Sequence, residues 1–544
     1  MNRIYRTIWN EARDTYVAAS EIACRQGKRV LNQSRGGFSR GTQFALKTLA
    51  FAVSLAISAV TLALPTGGQI AAGQGAITQS GNTMSVTQGS QNLIVNWQGF
   101  GIGTGEKINF AQPNASAIAL NRVLGNSASQ IYGQLNANGQ VYLINANGIL
   151  FAPSAQVNVG GLVASTLDIS DASFLAGKRT FVGNGAPGKI LNQGSLNAAN
   201  GGFIALLGGQ VSNQGTITAR LGTVALGAGN QITLDFAGDH LTSLQVNQGV
   251  LHALVENGQL IQADGGTVIM TAQALNTLLD TVLNNSGVIE ARGVSQKNGR
   301  VVLDGGISGV TSNSGVIDVS NTTGIGGTAK VLGDNIQVGP TSMMDASGNF
   351  GGGTILIGGN AHGAGPEQNA TTNTVVPGAL FKANATDSGN GGTVVVWADG
   401  STHFDGAISA QGGANGGDGG FVETSGKNML QVADNTTVNT LASKGRAGNW
   451  LLDPATITVG SSGSGTLAQA ANTTDTTSNI TLSASTINAG TTNVILAATT
   501  SITVNAAIGI TTNGVGITFE GAGGTITSGP ISGTTLNANV SAPN

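Results

Sequence analysis

The chain contains one cysteine, Cys24, in 544 residues. That excludes a disulfide-stapled fold and any thiolate metal cluster. Such a chain also cannot lock itself through disulfides before it crosses a membrane. Charged residues make up only 9% and aromatics 4%. The four histidines, His240, His252, His362 and His403, are scattered, with no metal-ligand spacing and no pairing for general acid–base work. What abounds is glycine, with 85 residues, alongside Ser, Thr, Asn and Ala. No G-X-Y period accompanies it, which excludes collagen, and an apolar share of 40% argues against a disordered linker.

The charge is divided unevenly. Residues 1–63 hold nine Lys/Arg and three Asp/Glu, leaving 14 basic against 23 acidic residues in the remainder. A mildly acidic body without a basic patch argues against nucleic-acid binding. The basic stretch Arg25, Lys28, Arg29, Arg35 and Arg40 precedes an apolar run over 45–64, the order of a secretory signal. We expect residues 1–63 to be a helical, cleavable leader; a membrane anchor is the alternative for a run of this length. The segment Met1-Asn-Arg-Ile-Tyr-Arg-Thr-Ile-Trp-Asn10, then Tyr16-Val-Ala-Ala-Ser-Glu21, resembles the extended signal-peptide region of type V exported proteins of Gram-negative bacteria. Tyr16 stands where that region usually has Trp, and keeps the aromatic ring.

From Leu64 onward, short strand signals such as Met84-Ser-Val86, Asn92-Leu-Ile-Val95 and Lys107-Ile108 alternate with Gly and Asn turns. Two Asn-Ala-Asn-Gly turns, 136–139 and 145–148, bracket the strand Gln140–Ile144. Asn and Gly tolerate the left-handed backbone such turns need. Val141 and Leu143 fall on one face, Tyr142 and Ile144 on the other, which predicts burial on both sides.

Residues 64–185 are similar to the haemagglutination-activity, or two-partner-secretion, domain of filamentous-haemagglutinin-like exoproteins. The resemblance is carried by Gln112-Pro113, Leu120-Asn121-Arg122-Val123, Asn145-Ala146-Asn147-Gly148-Ile149 and Gly161-Leu-Val-Ala-Ser-Thr166. Ala146 replaces the usual Pro, which removes a rigid turn residue. The resemblance implies recognition by an outer-membrane transporter of the Omp85 class, passage in unfolded form, and release to the cell surface or medium. It makes Gln112, Pro113, Asn121, Arg122, Asn145, Asn147 and Gly148 the candidate recognition and secretion motif. Asn145 and Asn147 have two readings, side-chain ladders that serve folding or direct contact with the transporter.

Beyond residue 185 the chain repeats itself. One element is Asn-x-Gly-x-Ile/Leu, at Asn192, Asn213, Asn285 and Asn313; a second, glycine followed by an aliphatic strand, trails each copy. Repeats of 21 to 28 residues with two or three strands predict a right-handed parallel β-helix, all-β, with short extra-helical strands and an N-terminal cap. At this repeat length we expect about 20 coils and a rod on the order of 100 Å. The repeats run over 186–454, and a Thr/Ser/Asn-rich continuation over 455–544. Gly448-Asn-Trp-Leu-Leu-Asp-Pro454 is similar to a junction in large exoproteins of the same family. Two stretches break the pattern: 232–256 is expected to be an excursion of paired strands, and Gln273–Asn284 has helical spacing.

These features imply a secreted or surface adhesin-like protein, not an enzyme and without a cofactor, that meets a protein or glycan receptor on a host or neighbouring cell. A contact-dependent toxin carrier or cytolysin, or a shortened relative of one, is the alternative. A β-helix polysaccharide-degrading enzyme is a further one; it needs Asp with Arg or Lys aligned on successive coils, and the sequence displays no such cluster.

Overall fold

The computed structural model describes residues 64–184, 188–275, 280–463, 480–498 and 500–521, and the backbone of 5–10, 15–20, 525–528 and 531–533. The chain divides into two units, 1–56 and 57–544. In the first, Tyr5–Asn10 and Thr15–Ser20 pair antiparallel, with Tyr5 opposite Ser20. This corrects the expectation of a helical leader for these residues. Tyr5, Thr7, Ile8, Trp9, Tyr16 and Val17 are aromatic or β-branched, and such side chains favour extended backbone. The apolar run lies outside the described residues except for Leu64.

The second unit is a parallel β-helix with three strands per coil. On the second side of the coil, the rungs begin at Asn92, Ile118, Gln140, Gly161, Phe203, Thr223, Thr267, Arg300, Thr328, Thr354, Thr393, Phe421, Asn449, Asn493 and Ile517. These are fifteen rungs among the described residues, numbered here in that order. Fourteen steps of about 4.8 Å span about 67 Å. The described residues hold fewer than the expected 20 coils, in part because corner loops consume residues without adding rungs: Asn213 to Asn257 takes 44.

Register makes like residues stack. On the first side, Leu196, Ile217, Ile261, Ile289, Ile317, Met344, Phe381, Ile408 and Val438 form one column in the coil interior. Burying each such side chain contributes about 1.5–3 kcal/mol. No rung closes such a column alone, so the stack is the smallest stable unit.

On the third side, an asparagine ladder runs inside the coil. Asn192 Nδ2 donates to Asn213 Oδ1 at 2.8 Å, Asn213 to Asn257 at 2.8 Å, Asn257 to Asn285 at 2.9 Å, and Asn285 to Asn313 at 2.7 Å. The last of these donates to Ser342 Oγ at 2.7 Å. All five asparagines are fully buried. An amide suits this place because it donates to one neighbour and accepts from the other, so each buried group finds partners along the axis.

The excursion exists: Gln231–Ala237 and His240–Gln248 form a twisted antiparallel hairpin, joined by Thr180–Val182 as a third strand. It ends earlier than expected, since Leu254–Asn257 rejoins the third side. The helical reading of Gln273–Asn284 is corrected over its last residues: Thr281–Asn285 is a strand whose Asn285 is needed in the ladder. Residues 276–279 lie outside the described residues.

Asn257→Ala removes one donor and one acceptor from the closed ladder. It is expected to lower stability by about 2–3 kcal/mol, read as a lower urea midpoint; an unchanged midpoint would show that the ladder does not hold the rungs.

Candidate functional site

The motif residues gather around one strand, Gln140–Ile144, the third rung. At its start, the chain turns at Gln112, whose side chain folds inward, 7% exposed. Its Nε2 donates to the carbonyls of Ala117 (2.9 Å) and Gln140 (3.1 Å) and to Gln88 Oε1 (3.1 Å). Its Oε1 accepts from Gly139 N at 3.0 Å, and its backbone exchanges two 2.8 Å bonds with the Asn138 side chain. Gln112 therefore ties three coils together. Pro113, which has no N–H to satisfy, follows it in the exposed corner.

Asn121 and Arg122 lie in register beside Leu143 and Ile144. Asn121 points into the coil and is fully buried. It accepts from Trp97 Nε1 at 3.0 Å and donates to the carbonyls of Ala119 (3.1 Å) and Tyr142 (3.4 Å). Arg122 points outward and clamps a covering segment. Its Nε bonds Asp168 at 2.9 Å, one terminal nitrogen bonds Asp171 at 2.6 Å, and the other donates to the Ile169 carbonyl. Burial would lower the Arg122 pKa, but its hydrogen bonds to Asp168 and Asp171 more than reverse that and hold it above the ordinary value.

At the strand's far end is the Asn145–Gly148 turn. Asn145 is fully buried; its Nδ2 donates to the Ser127 carbonyl and Ser129 Oγ, each at 3.0 Å. Its Oδ1 accepts from the backbone and side-chain nitrogens of Asn147, each at 3.0 Å. Asn147 Nδ2 also reaches the Gly125 carbonyl at 2.8 Å. Gly148 has φ +116°, and a Cβ there would stand 3.1 Å from the Lys189 carbonyl oxygen. Of the seven residues, Gln112, Asn121, Asn145 and Gly148 are buried, Arg122 is half-buried, and only Pro113 and Asn147 are exposed.

The clamp closes a second apolar core outside the coil. Ile94, Leu120, Tyr142, Val163, Phe203 and Leu207 on the outer surface pack against Leu167, Phe174, Phe181, Ile232, Leu234 and Leu244 of the covering segments. The Arg179 guanidinium lies 5.0 Å from the Phe174 ring centroid and 5.7 Å from that of Tyr142. Burial pushes the Tyr142 hydroxyl up, with Arg179 opposing. Two-sided burial of Gln140–Ile144 is readable from the sequence; Asp168, Asp171 and Arg179 are not, because nothing local pairs them with Arg122 or Tyr142.

One expectation is corrected. Carboxylates do align with basic residues on successive coils: Glu290, Asp318 and Asp345 stack in register, followed by Lys382. Insertions of unequal length hide this register in the sequence. The groups are engaged structurally. Arg292 bonds Asp264 and Glu290, while Asp318 and Asp345 accept from the backbone of Ser320 and Ser347, each at 2.9 Å. Among the described residues, no group of His, Cys, Asp or Glu is arranged to hold a metal ion, and no helix is long and apolar enough to cross a membrane.

The TPS secretion domain family model matches residues 62–319, and that of the extended signal peptide of the type V secretion system matches 1–52. The chain is similar to a heme/hemopexin-binding protein of Haemophilus influenzae, 33% identical over 254 residues, covering 44% of this chain and 27% of that protein. A second such protein from that species is 32% identical over 241 residues, 40% and 26% of the two chains. The chain thus matches only about a quarter of these relatives' length. The crystal structure of the HMW1 secretion domain from Haemophilus influenzae aligns with a TM-score of 0.62 and 32% identity, covering 72% of this chain and 100% of that one.

Arg122→Met releases the covering segment from the coil. Limited proteolysis within 168–182 is expected to quicken about tenfold, as loss of charge-assisted hydrogen bonds implies; unchanged cleavage would mean that the apolar core alone holds the segment.

Proposed function

The chain belongs to the two-partner-secreted exoproteins of the type V system, and on that premise we propose that residues 64–185 serve both as the export signal read by an outer-membrane Omp85-type transporter and as the nucleus on which the remaining coils fold. The protein is exported through the periplasm to the cell surface or medium of a Gram-negative bacterium.

The observation that carries the nucleus reading is the second core. The rungs of this segment are buried on the inner surface like the others, but also on the outer surface, where Ile94, Leu120, Tyr142 and Val163 lie beneath Leu167, Phe174 and Phe181 of the same segment. Extra apolar burial lets this segment stand before its successors arrive, where a bare rung cannot. Its first edge is closed too, since Gln69–Ala72 and Gly75–Ser80 pair antiparallel with Asn92–Trp97 and Thr83–Gln88. Each later rung then finds a finished edge to pair with. Folding outside the cell in this order opposes backward movement of the chain.

In this reading the motif divides in two. Gln112, Asn121, Arg122, Asn145 and Gly148 act by building the nucleus, and the exposed corners at Pro113 and Asn147 are what the transporter can touch. Beyond export, the rod acts as an adhesin-like presenter of a receptor-binding surface and not as an enzyme. The engagement of the carboxylate column in turns and ion pairs supports that.

The test is secretion from cells that carry the partner transporter. Asn145→Ala is expected to lower the urea midpoint and secreted yield together. Asn147→Ala gives up the Nδ2 bonds to the Gly125 carbonyl and Asn145 Oδ1, so a loss of about 1 kcal/mol is expected, smaller than for Asn145→Ala, and a fall in yield larger than that of Asn145→Ala marks contact with the transporter. Export from cells lacking the transporter would refute the partner assignment.

A further inference from the structure

In a solenoid each coil touches only its neighbours. Residues 358–370 depart from this. The segment leaves the tenth rung after Ile357, and its ends meet where Ala370 N donates to the Gly358 carbonyl at 2.8 Å, which makes it a closed surface loop. Ala361 packs on Leu356, Val395 and Trp397. Gly363, at φ +62°, lies so near the Trp397 indole that a Cβ would be 2.6 Å from it.

The loop then reaches both ways along the stack. Forward, the His362 backbone N–H donates to both Glu423 carboxylate oxygens at 3.1 Å, and its ring Nδ1 is 3.4 Å from Asp453 Oδ2. These partners belong to the twelfth rung and to the end of the thirteenth. Backward, Glu367 pairs with Lys330 of the ninth rung, and Gln368 Nε2 donates to the Gly306 carbonyl, just past the eighth, at 3.3 Å. Among the described side-chain hydrogen bonds, the largest sequence separations are 91, 62 and 61 residues, all made by this loop; the next is 53.

Glu423 explains the arrangement. It is fully buried on the outer surface between Val395 and Leu451, a costly place for a carboxylate without hydrogen bonds. Burial pushes its pKa up, and the His362 N–H pulls it back. The loop therefore supplies what that position lacks.

We propose that residues 358–370 form a strap that locks the eighth to thirteenth rungs into one cooperative unit, and that closes only after the thirteenth rung has folded. The loop precedes its forward partners in the chain, so in folding from the N-terminus it stays open until Glu423 and Asp453 are in place. Hydrogen exchange with mass spectrometry on the purified full chain tests this. Glu423→Ala is expected to raise exchange about tenfold at 358–370 and at 421–426, as loss of a charge-assisted hydrogen bond implies. It should raise exchange equally at 300–304 and 328–332, several rungs away. Glu423→Gln keeps the shape and one acceptor, and should act in the same direction but less. In pulsed exchange during refolding, 358–370 should gain protection with or after 449–452. Exchange left unchanged at 300–304 and 328–332 in Glu423→Ala, or strap amides protected before 449–452, would overturn the proposal.

Discussion

Every coil of this protein has an edge of unpaired backbone N–H and C=O groups, and the next coil is what pairs it. The other features depend on that constraint. Parallel, in-register pairing places residue on residue at a fixed pitch. Inward aliphatics therefore become columns, inward asparagines become a ladder, and outward carboxylates become a stack. It also explains how a chain with so few aromatics and one cysteine holds together: many short rungs each bury little, but none is buried alone.

The constraint has a starting problem, since a first rung has no predecessor. The structure meets it twice at the N-terminal end. Antiparallel strands close the first edge, and a helical turn with a three-stranded sheet covers the outer surface. The Arg122 clamp joins these coverings to the coil. Farther along, the strap at 358–370 ties distant coils together where pairing alone ties only neighbours. Both devices add contacts across the stack, and both arise from corner insertions.

Much of this was legible in the sequence because turns carry local chemistry. Asn-x-Gly marks Asn192, Asn213, Asn285 and Asn313, and all four stand in the ladder. Asn257 escaped because its glycine follows directly, as Asn257-Gly258, and the spacing rule skips it. The end of the stretch Gln273–Asn284 misled because Val282 and Leu283, which continue a helical spacing, fit a buried strand equally well. Positions of the motif residues on turns and strands were readable; their burial and partners were not. Arg122 meets Asp171 across 49 residues, and the carboxylate column forms across corners of unequal length. Those contacts depend on register, which no local pattern encodes.

The ladder carries a consequence for how such a protein can change. Asn192 and Asn213 are 21 residues apart and Asn213 and Asn257 are 44, yet both bonds measure 2.8 Å. Structural phase is thus indexed by rung and not by residue number. Extra sequence at a corner leaves the phase of every later coil intact, whereas one residue added within a strand turns its inner column outward. Corners are therefore where lineages can lengthen, and where foreign segments can be grafted without disturbing the rod beneath.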